Sequence, residues 1–159
     1  TILSFTNSSS DAVITAGVQD KDIIFKGDDG GSAVTSLTLD MSNSGAAAFS
    51  AAAYNAEATL TDASTISWNA ITQPVAKVTL GANRTLGAAS GGIAGAFISL
   101  LIIQDGTGSR TVTFNAAYEF KDDTAPTLTT TASKGDLFTF RYNGSKWLEV
   151  GRNLNLTLS

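Results

Sequence analysis

The sequence contains no histidine and no cysteine among its 159 residues. Without histidine there can be no Ser-His-Asp triad, no HExxH zinc site and no histidine general base. Without cysteine there can be no disulfide, thiol nucleophile or thiolate metal ligand. Carboxylate pairs remain possible, but the only glutamates are Glu57, Glu119 and Glu149, and no convergent set is visible. Only Glu119, flanked by Tyr118 and Phe120, has the aromatic surroundings of a sugar cleft. We therefore expect a protein that is not an enzyme and needs no cofactor or metal.

Charged residues are also scarce, at 15% of the chain, whereas hydrophobic residues make up 43%. So little charge is unusual for a soluble monomer and favours burial in an assembly. The net charge is -4 and the ten Lys and Arg are scattered, which argues against a nucleic-acid partner. The longest apolar run, residues 93–103, is shorter than the roughly 20 residues that cross a bilayer, so we expect a buried strand and no membrane insertion.

The N-terminal third consists of very short strand patterns separated by Gly and Asp clusters. Residues 13–15, 23–26 and 37–39 each bury too little apolar surface to offset their own ordering entropy. Such a ribbon persists when it stacks on copies of itself, on other chains or on a neighbouring domain. We predict a shaft-like segment over residues 1–56, with chain-to-chain contacts made by Ile24, Phe25, Leu37 and Leu39.

Residues 42–56 are rich in alanine and other small residues, and the composition changes near Ala56. Small side chains allow close approach of several backbones, so we predict a thin extended connector. An ordinary flexible linker is the alternative, and the sequence leaves both open. A second domain is predicted over residues 57–159.

That second domain is a succession of strand patterns with turn signals between them. Residues 97–104 are the most apolar strand, and the loop at 105–108 predicts a hairpin with residues 110–114. Asn143-Gly144 predicts a second hairpin, and alternating leucines at 154, 156 and 158 predict a further strand that pairs across subunits. The expected fold is all-β: a short-stranded shaft followed by a β-sandwich, jelly-roll-like. The expected core aromatic residues are Trp68, Phe97, Phe114, Phe138, Phe140 and Trp147.

One irregular segment, residues 117–126, combines groups that could stack on a ligand with groups that could hydrogen-bond to it. Exposed loops on a rigid β scaffold often carry recognition. We therefore predict receptor contact there, with two aromatic rings left exposed; in the alternative, those rings plug the edge of the sandwich. The candidate residues are Tyr118, Phe120, Lys121, Asp122 and Asp123.

Two acidic turns, at residues 28–31 and 121–123, could supply oxygen ligands for calcium. Their spacing matches no EF-hand, and adjacent aspartates more often form turns by bonding their own backbone. Asp28 and Asp29 are the first candidates if a site is shared between subunits, and the sequence leaves calcium binding open.

Residues 8–49 read SSSDAVITAGVQDKDIIFKGDDGGSAVTSLTLDMSNSGAAAF. This stretch resembles a segment that recurs in the fibre proteins of tailed bacteriophages, notably those of marine bacteria, most closely in residues 22–31 and 37–41. Residues 78–86 and 104–114 are similar to the β-structured tip domains of such fibres. The resemblance implies a homotrimeric shaft and a tip that contacts the host surface, including host-surface glycans. It also implies other virion proteins as partners and an extracellular location on the virion.

The sequence departs from those fibres in one respect, because nothing in it is similar to their self-cleaving chaperone domain. Trimerisation would then depend on the tip domain. Two other functions stay open: a capsid-decorating protein, and a monomeric carbohydrate-binding module of a secreted bacterial protein.

Overall fold

A computed structural model describes residues 3–9 and 11–158. The chain divides into two compact units, residues 1–54 and 55–159, called here the N-terminal and C-terminal units. The all-β class is as predicted: the described residues form strands and two short 3₁₀ turns, and no α-helix occurs among them. No helix in the described part of the chain is long and apolar enough to cross a membrane.

The N-terminal unit contains two separate antiparallel sheets. A two-stranded ribbon pairs β1 with β2, and a three-stranded sheet has the order β3-β4-β5. The strands are β1 Leu3–Ser8, β2 Asp11–Ala16, β3 Ile23–Asp29, β4 Ser32–Asp40 and β5 Ala46–Phe49. Strand β5 lies within the stretch predicted as an extended connector.

Turn chemistry explains the tight link between β3 and β4. Asp29 pairs with Ser32, so only Gly30 and Gly31 form the loop, with φ of 61° and 90°. Glycine adopts these left-handed angles without steric cost, as a two-residue hairpin requires. The Asp28 carboxylate accepts a hydrogen bond of 2.7 Å from the Gly31 amide and thereby supports the turn.

Strand register gives the three-stranded sheet one apolar face. Phe25 pairs with Leu37, which pairs with Phe49, and Ile23 pairs with Leu39. Since side chains alternate across a strand, these residues share a face. A β-bulge leaves Ser36 as an extra residue on β4, and it brings Val34, paired with Gly27, onto the same face. The members of this face, called here the apolar face, are Ile23, Phe25, Val34, Leu37, Leu39, Ala47 and Phe49.

No residue of the N-terminal unit is buried, as far as the burial of residues 3–54 is described. Leu37 and Leu39 are half-buried, while Phe25 and Phe49 are exposed. Antiparallel sheets ordinarily cover one face with a core and leave the other to water. Here both faces are open within one chain.

The C-terminal unit has nine strands in two sheets. A six-stranded sheet has the order β12-β14-β13-β10-β8-β6, and a three-stranded sheet has the order β11-β9-β7. The strands are β6 Ala58–Thr59, β7 Thr65–Ile66, β8 Val75–Leu80, β9 Arg84–Leu86, β10 Phe97–Gln104, β11 Val112–Phe114, β12 Tyr118–Glu119, β13 Lys134–Tyr142 and β14 Trp147–Thr157.

From β6 to β11 the chain alternates between the two sheets, and equivalent strands of successive coils pair in parallel. Strand β8 pairs in parallel with β6 and β10, and β9 pairs in parallel with β7 and β11. This arrangement is a short solenoid, closed on one side by the antiparallel strands β13 and β14. It differs from the antiparallel order of the expected jelly roll.

The predicted hairpin between residues 97–104 and 110–114 is wrong. Strand β10 has the predicted bounds, but it pairs with β8 and β13, whereas β11 lies in the other sheet beside β9. The Asn143-Gly144 hairpin is confirmed, with Tyr142 paired to Trp147. The predicted C-terminal strand is the end of β14, and it pairs with β13 of its own chain.

A single hydrophobic core lies between the two sheets. Trp68, Phe138, Phe140 and Trp147 are buried in it, and Phe114 packs edge-on against Phe138 with ring centroids 5.6 Å apart. Because Phe114 belongs to the smaller sheet and Phe138 to the larger, this contact joins the layers. Phe97, expected in the core, is exposed at the start of β10. It precedes Ile98 and so lies on the outer face of the sheet.

A buried carboxylate holds the end of β14 in place through hydrogen bonds. Asp136 accepts hydrogen bonds from the Thr129 amide and hydroxyl, both 2.7 Å, and from the Asn155 amide at 2.9 Å. Asn155 has a left-handed φ of 60°, which turns its amide out of the regular ladder. Three donors offset the desolvation of the buried charge.

Candidate functional site

The two aromatic residues of the predicted receptor segment are buried. Tyr118 is 4% exposed and Phe120 is 8% exposed, and their ring centroids lie 5.1 Å and 5.9 Å from that of Phe140. The Tyr118 hydroxyl donates a 3.0 Å hydrogen bond to the Gly87 carbonyl, and burial raises the pKa of the phenol. The expectation that these rings are exposed is wrong, because β12 pairs with the edge of β14 and directs alternate residues into the core.

The polar residues of the segment are exposed. Lys121–Asp123 form a 3₁₀ turn, and Asp122 and Asp123 have left-handed φ of 55° and 53°. The Lys121 ammonium lies 4.0 Å from the Asp122 carboxylate, and both side chains are largely in water. Receptor contact therefore remains a prediction for Lys121, Asp122 and Asp123.

A groove of about 450 Å³ lies between this turn and β14. Phe120 and Lys121, which line it, belong to the segment predicted to contact a receptor. Glu119 and Glu149 are two of the three glutamates, so the expectation that no two glutamates share a cleft is wrong. The other lining residues had not been predicted. The lining residues are Glu119, Phe120, Lys121, Leu148, Glu149, Val150, Gly151 and Arg152.

A β-bulge places the unexpected members of the groove. Phe140 pairs with Glu149, but Thr139 pairs with Gly151, so Val150 is the extra residue on β14. Gly151, directly after Val150, is the local signal that could have found this bulge, because an isolated glycine inside a strand often marks one.

Charged groups surround the entrance of the groove. The Lys146 ammonium bonds the Glu119 carboxylate, which lowers the pKa of Glu119 and raises that of Lys146. Glu119 in turn raises the pKa of Asp123, because the two carboxyl groups share a hydrogen bond most readily when one is protonated. The turn and β14 are thus linked through polar contacts at the surface.

Glu149 is the one groove residue with an unmet hydrogen-bonding requirement. Its side chain is only 9% exposed, and its Oε1 atom is buried without a hydrogen-bond partner. Arg152 Nε lies 3.4 Å from that oxygen, close enough to balance its charge without donating to it. The oxygen therefore retains an unused acceptor position.

The four predicted chain-contact residues do not share one surface. Phe25, Leu37 and Leu39 lie on the apolar face, whereas Ile24 pairs with Thr38 on the opposite face. At the acidic turn, the Asp28 carboxylate accepts a hydrogen bond from the Gly31 amide and Asp29 pairs with Ser32, so both residues stabilise the β3–β4 loop. Among the described residues, no group of three or more carboxylates gathers to hold a metal ion.

A family model described as "Putative phage tail fibre C-terminal domain" matches residues 56–147, which is more than half of the chain and nearly all of the C-terminal unit up to β14. No curated protein and no solved structure matches the chain. The match concerns the solenoid unit, whereas the resemblance of residues 8–49 concerns the other unit. It favours a fibre over a capsid-decorating protein or a monomeric carbohydrate-binding module. The chain therefore belongs to the family of phage tail fibre C-terminal domains, and it is a structural fibre protein that forms part of the virion.

Proposed function

We propose that the protein is a homotrimeric fibre element on the virion surface that carries attachment to the host. Residues 1–56 act as the shaft-like segment and residues 57–159 as the tip. The observation that carries the proposal is the apolar face, which a single chain leaves uncovered.

Energetics supports assembly through this face. A three-stranded sheet without a covering layer is marginal in water, because ordering each residue costs about 1–2 kcal/mol. Burial of apolar surface is the main compensation, at roughly 25 cal/mol per Å². Phe25 and Phe49 are exposed within one chain, which supports other chains as the source of that compensation. Three copies is the number implied by the resemblance to fibre shafts.

Several features support a structural, non-enzymatic role at the host surface. The sequence lacks His and Cys, and the family to which the chain belongs is one of fibre proteins. Other virion proteins are the natural attachment points for the shaft. Receptor contact falls to exposed turns of the tip, first to Lys121, Asp122 and Asp123, because the inner sheet faces are used by the core.

Competition for adsorption tests the proposal. The purified chain should reduce adsorption of the phage that carries it, since both would occupy the same host receptors. Lys121→Ala should weaken this inhibition, and Lys21→Ala, at an exposed lysine of the N-terminal unit, is the matched control. A folded trimer that never inhibits adsorption would rule out host attachment.

A further inference from the structure

Strand β10, in the middle of the larger sheet of the C-terminal unit, is apolar on both of its sides. Its inward residues are buried in the core, and its outward residues include Phe97, Leu101 and Ile103. A strand that reads as a continuous apolar run is ordinarily covered on both faces. Within one chain the smaller sheet covers the inner face, whereas Phe97 on the outer face is 57% exposed.

Pairing with neighbouring strands widens the outward row of β10 into a stripe. Leu101 pairs with Leu137, and Leu156 pairs with Gly135. A Cβ atom at Gly135 would lie 3.0 Å from side-chain carbons of Leu101 and Leu158, so these two leucines converge over the glycine. The members, called here the outer stripe, are Phe97, Leu101, Ile103, Leu137, Leu156 and Leu158.

The outer stripe contains no ionisable side chain, and charged residues lie at its border. Lys77 lies beside Leu101 on β8 and is paired with Glu57 at 2.6 Å. Arg141 lies beside Phe97 on β13. Because charged residues are depleted at the centres of protein interfaces and accepted at the rims, the stripe has the composition of an interface centre.

Net charge favours a second copy of the chain as the occupant. The C-terminal unit, residues 55–159, has eight acidic and eight basic residues and is neutral. Residues 1–54 have six acidic and two basic residues and therefore carry the whole net charge of -4. Associated N-terminal units repel one another through their net charge, whereas C-terminal units do not. A contact between C-terminal units would offset that repulsion.

The short connection between the units gives a second reason for this choice. Residues 50–57 join β5 to β6, and an extended chain spans at most about 3.5 Å per residue. When N-terminal units associate, their C-terminal units are held near one another at an effective concentration on the order of millimolar. A contact too weak to join separate chains forms under these conditions.

We propose that the outer stripes of neighbouring copies pack against one another and form a second contact between chains. The inference rests on the proposed homotrimer and assigns its contact surface in the C-terminal unit. The two surfaces then differ in their contribution: the apolar face brings the chains together, and burial of the outer stripe strengthens the assembly once they are joined.

The test is a dilution series of the full chain, in which light scattering gives the molar mass at each concentration. Leu158→Glu should raise the concentration at which half of the assembly dissociates by about tenfold or more, because its carboxylate would be buried between chains without a partner. Leu154→Glu is the matched control and should dissociate like the parent. Leu154 and Leu158 are 39% and 42% exposed, but Leu154 follows the outward-facing Asn153 and so points away from the stripe.

A second variant and a folding measurement separate contact from structure. Leu137→Glu, at the centre of the stripe, should promote dissociation more strongly than Leu158→Glu. Tryptophan fluorescence of the Leu158 variant should stay native, since Trp68 and Trp147 are buried in the C-terminal unit. Loss of the native signal in that variant would give Leu158 a role within one chain and overturn the inference.

The remaining outcomes distinguish the inference from the proposed function. A homotrimer that resists dilution equally in the parent and in both stripe variants would overturn the outer stripe as a contact and leave the proposed assembly intact. Equal weakening by Leu154→Glu and Leu158→Glu would also overturn the inference, because the effect would not depend on the face. A parent chain that is monomeric at every concentration would remove the proposed homotrimer as well.

Discussion

The two units differ in whether the apolar faces of their sheets are covered. Both are built from short strands and tight turns, but the C-terminal unit closes two sheets over one core, whereas the N-terminal unit exposes an apolar sheet face. Phe138 and Phe140 are fully buried, while Phe25 is 44% exposed. A second layer supplied by the same chain is therefore what distinguishes the unit that has a core from the unit whose apolar face is uncovered.

The solenoid shows how the C-terminal unit obtains that layer. Each coil contributes one strand to each sheet, so Ile66 and Leu86 from one sheet and Val78 and Leu100 from the other join the same core. The N-terminal unit has no equivalent alternation, because its strands pair with sequence neighbours. Local hairpins alone give sheets with an uncovered face.

The largest effect should come from a charge on the apolar face. Phe25→Asp should abolish the assembly and the strand structure of the N-terminal unit, because the carboxylate would be buried between chains without a partner. Molar mass and circular dichroism would record the loss. Tryptophan fluorescence should stay native, since Trp68 and Trp147 are both buried in the C-terminal unit.

Ile24→Asp is the matched control for that variant. Ile24 adjoins Phe25 and is 49% exposed, but it lies on the opposite face of the sheet. The assembly should tolerate this change. Equal disruption by both variants would show that the sheet is not buried on one face.

A cavity in the C-terminal core should have the next largest effect. Phe138→Ala removes a ring with no exposed surface that packs on Phe114, so it should lower the free energy of unfolding by about 3–5 kcal/mol. The loss should appear in the tryptophan-detected transition. A loss below 1 kcal/mol, roughly the value for a surface change, would contradict a packed core.

The hydrogen bonds of two aspartates, one in each unit, should contribute less to stability than the packed ring of Phe138. Asp136→Ala removes the buried acceptor of hydrogen bonds from Thr129 and Asn155 and should cost on the order of 3 kcal/mol. Asp28→Ala removes one exposed turn bond to Gly31 and should cost about 1 kcal/mol or less. Denaturant titrations of both variants would measure the difference, and equal costs would contradict the assignment of Asp136 as a buried fastening point.

Acid should have the smallest effect of the four. Hydrogen bonds from Arg84 and Arg110 lower the pKa of Asp62 and Asp105 in the folded C-terminal unit. The unfolded chain therefore takes up protons first, and the stability from these pairs is present above the ordinary pKa of 3.8 and is lost as the pH falls through the lower folded values. Melting curves below neutral pH should show this fall, and Asp62→Asn should flatten it. An unchanged slope would contradict the contribution of that pair.

Local patterns predicted the local parts of the fold. The apolar character of residues 97–104 predicted the bounds of β10, and Asn143-Gly144 predicted the β13–β14 hairpin. Parallel pairing between coils leaves no turn signal, so the loop at 105–108 was mistaken for a hairpin although it leads to the other sheet. The apolar face was only partly predicted, because adjacent strand residues such as Ile24 and Phe25 face opposite ways and because a bulge in β4 brings Val34 onto the face.

The candidate site was predicted less well for a related reason. An irregular segment gives no periodicity from which to judge exposure, so Tyr118 and Phe120 were expected outside although pairing with β14 turns them inward. Glu149 joins the groove through a bulge set by the pairing of β14 with β13. Both features depend on contacts between segments distant in sequence.

Light scattering of the purified full chain tests the central claim most directly, because the N-terminal unit has no core of its own. The account predicts a molar mass of about three times 16.3 kDa under conditions in which the strands of the N-terminal unit are formed. A monomer of 16.3 kDa that retains those strands would contradict it.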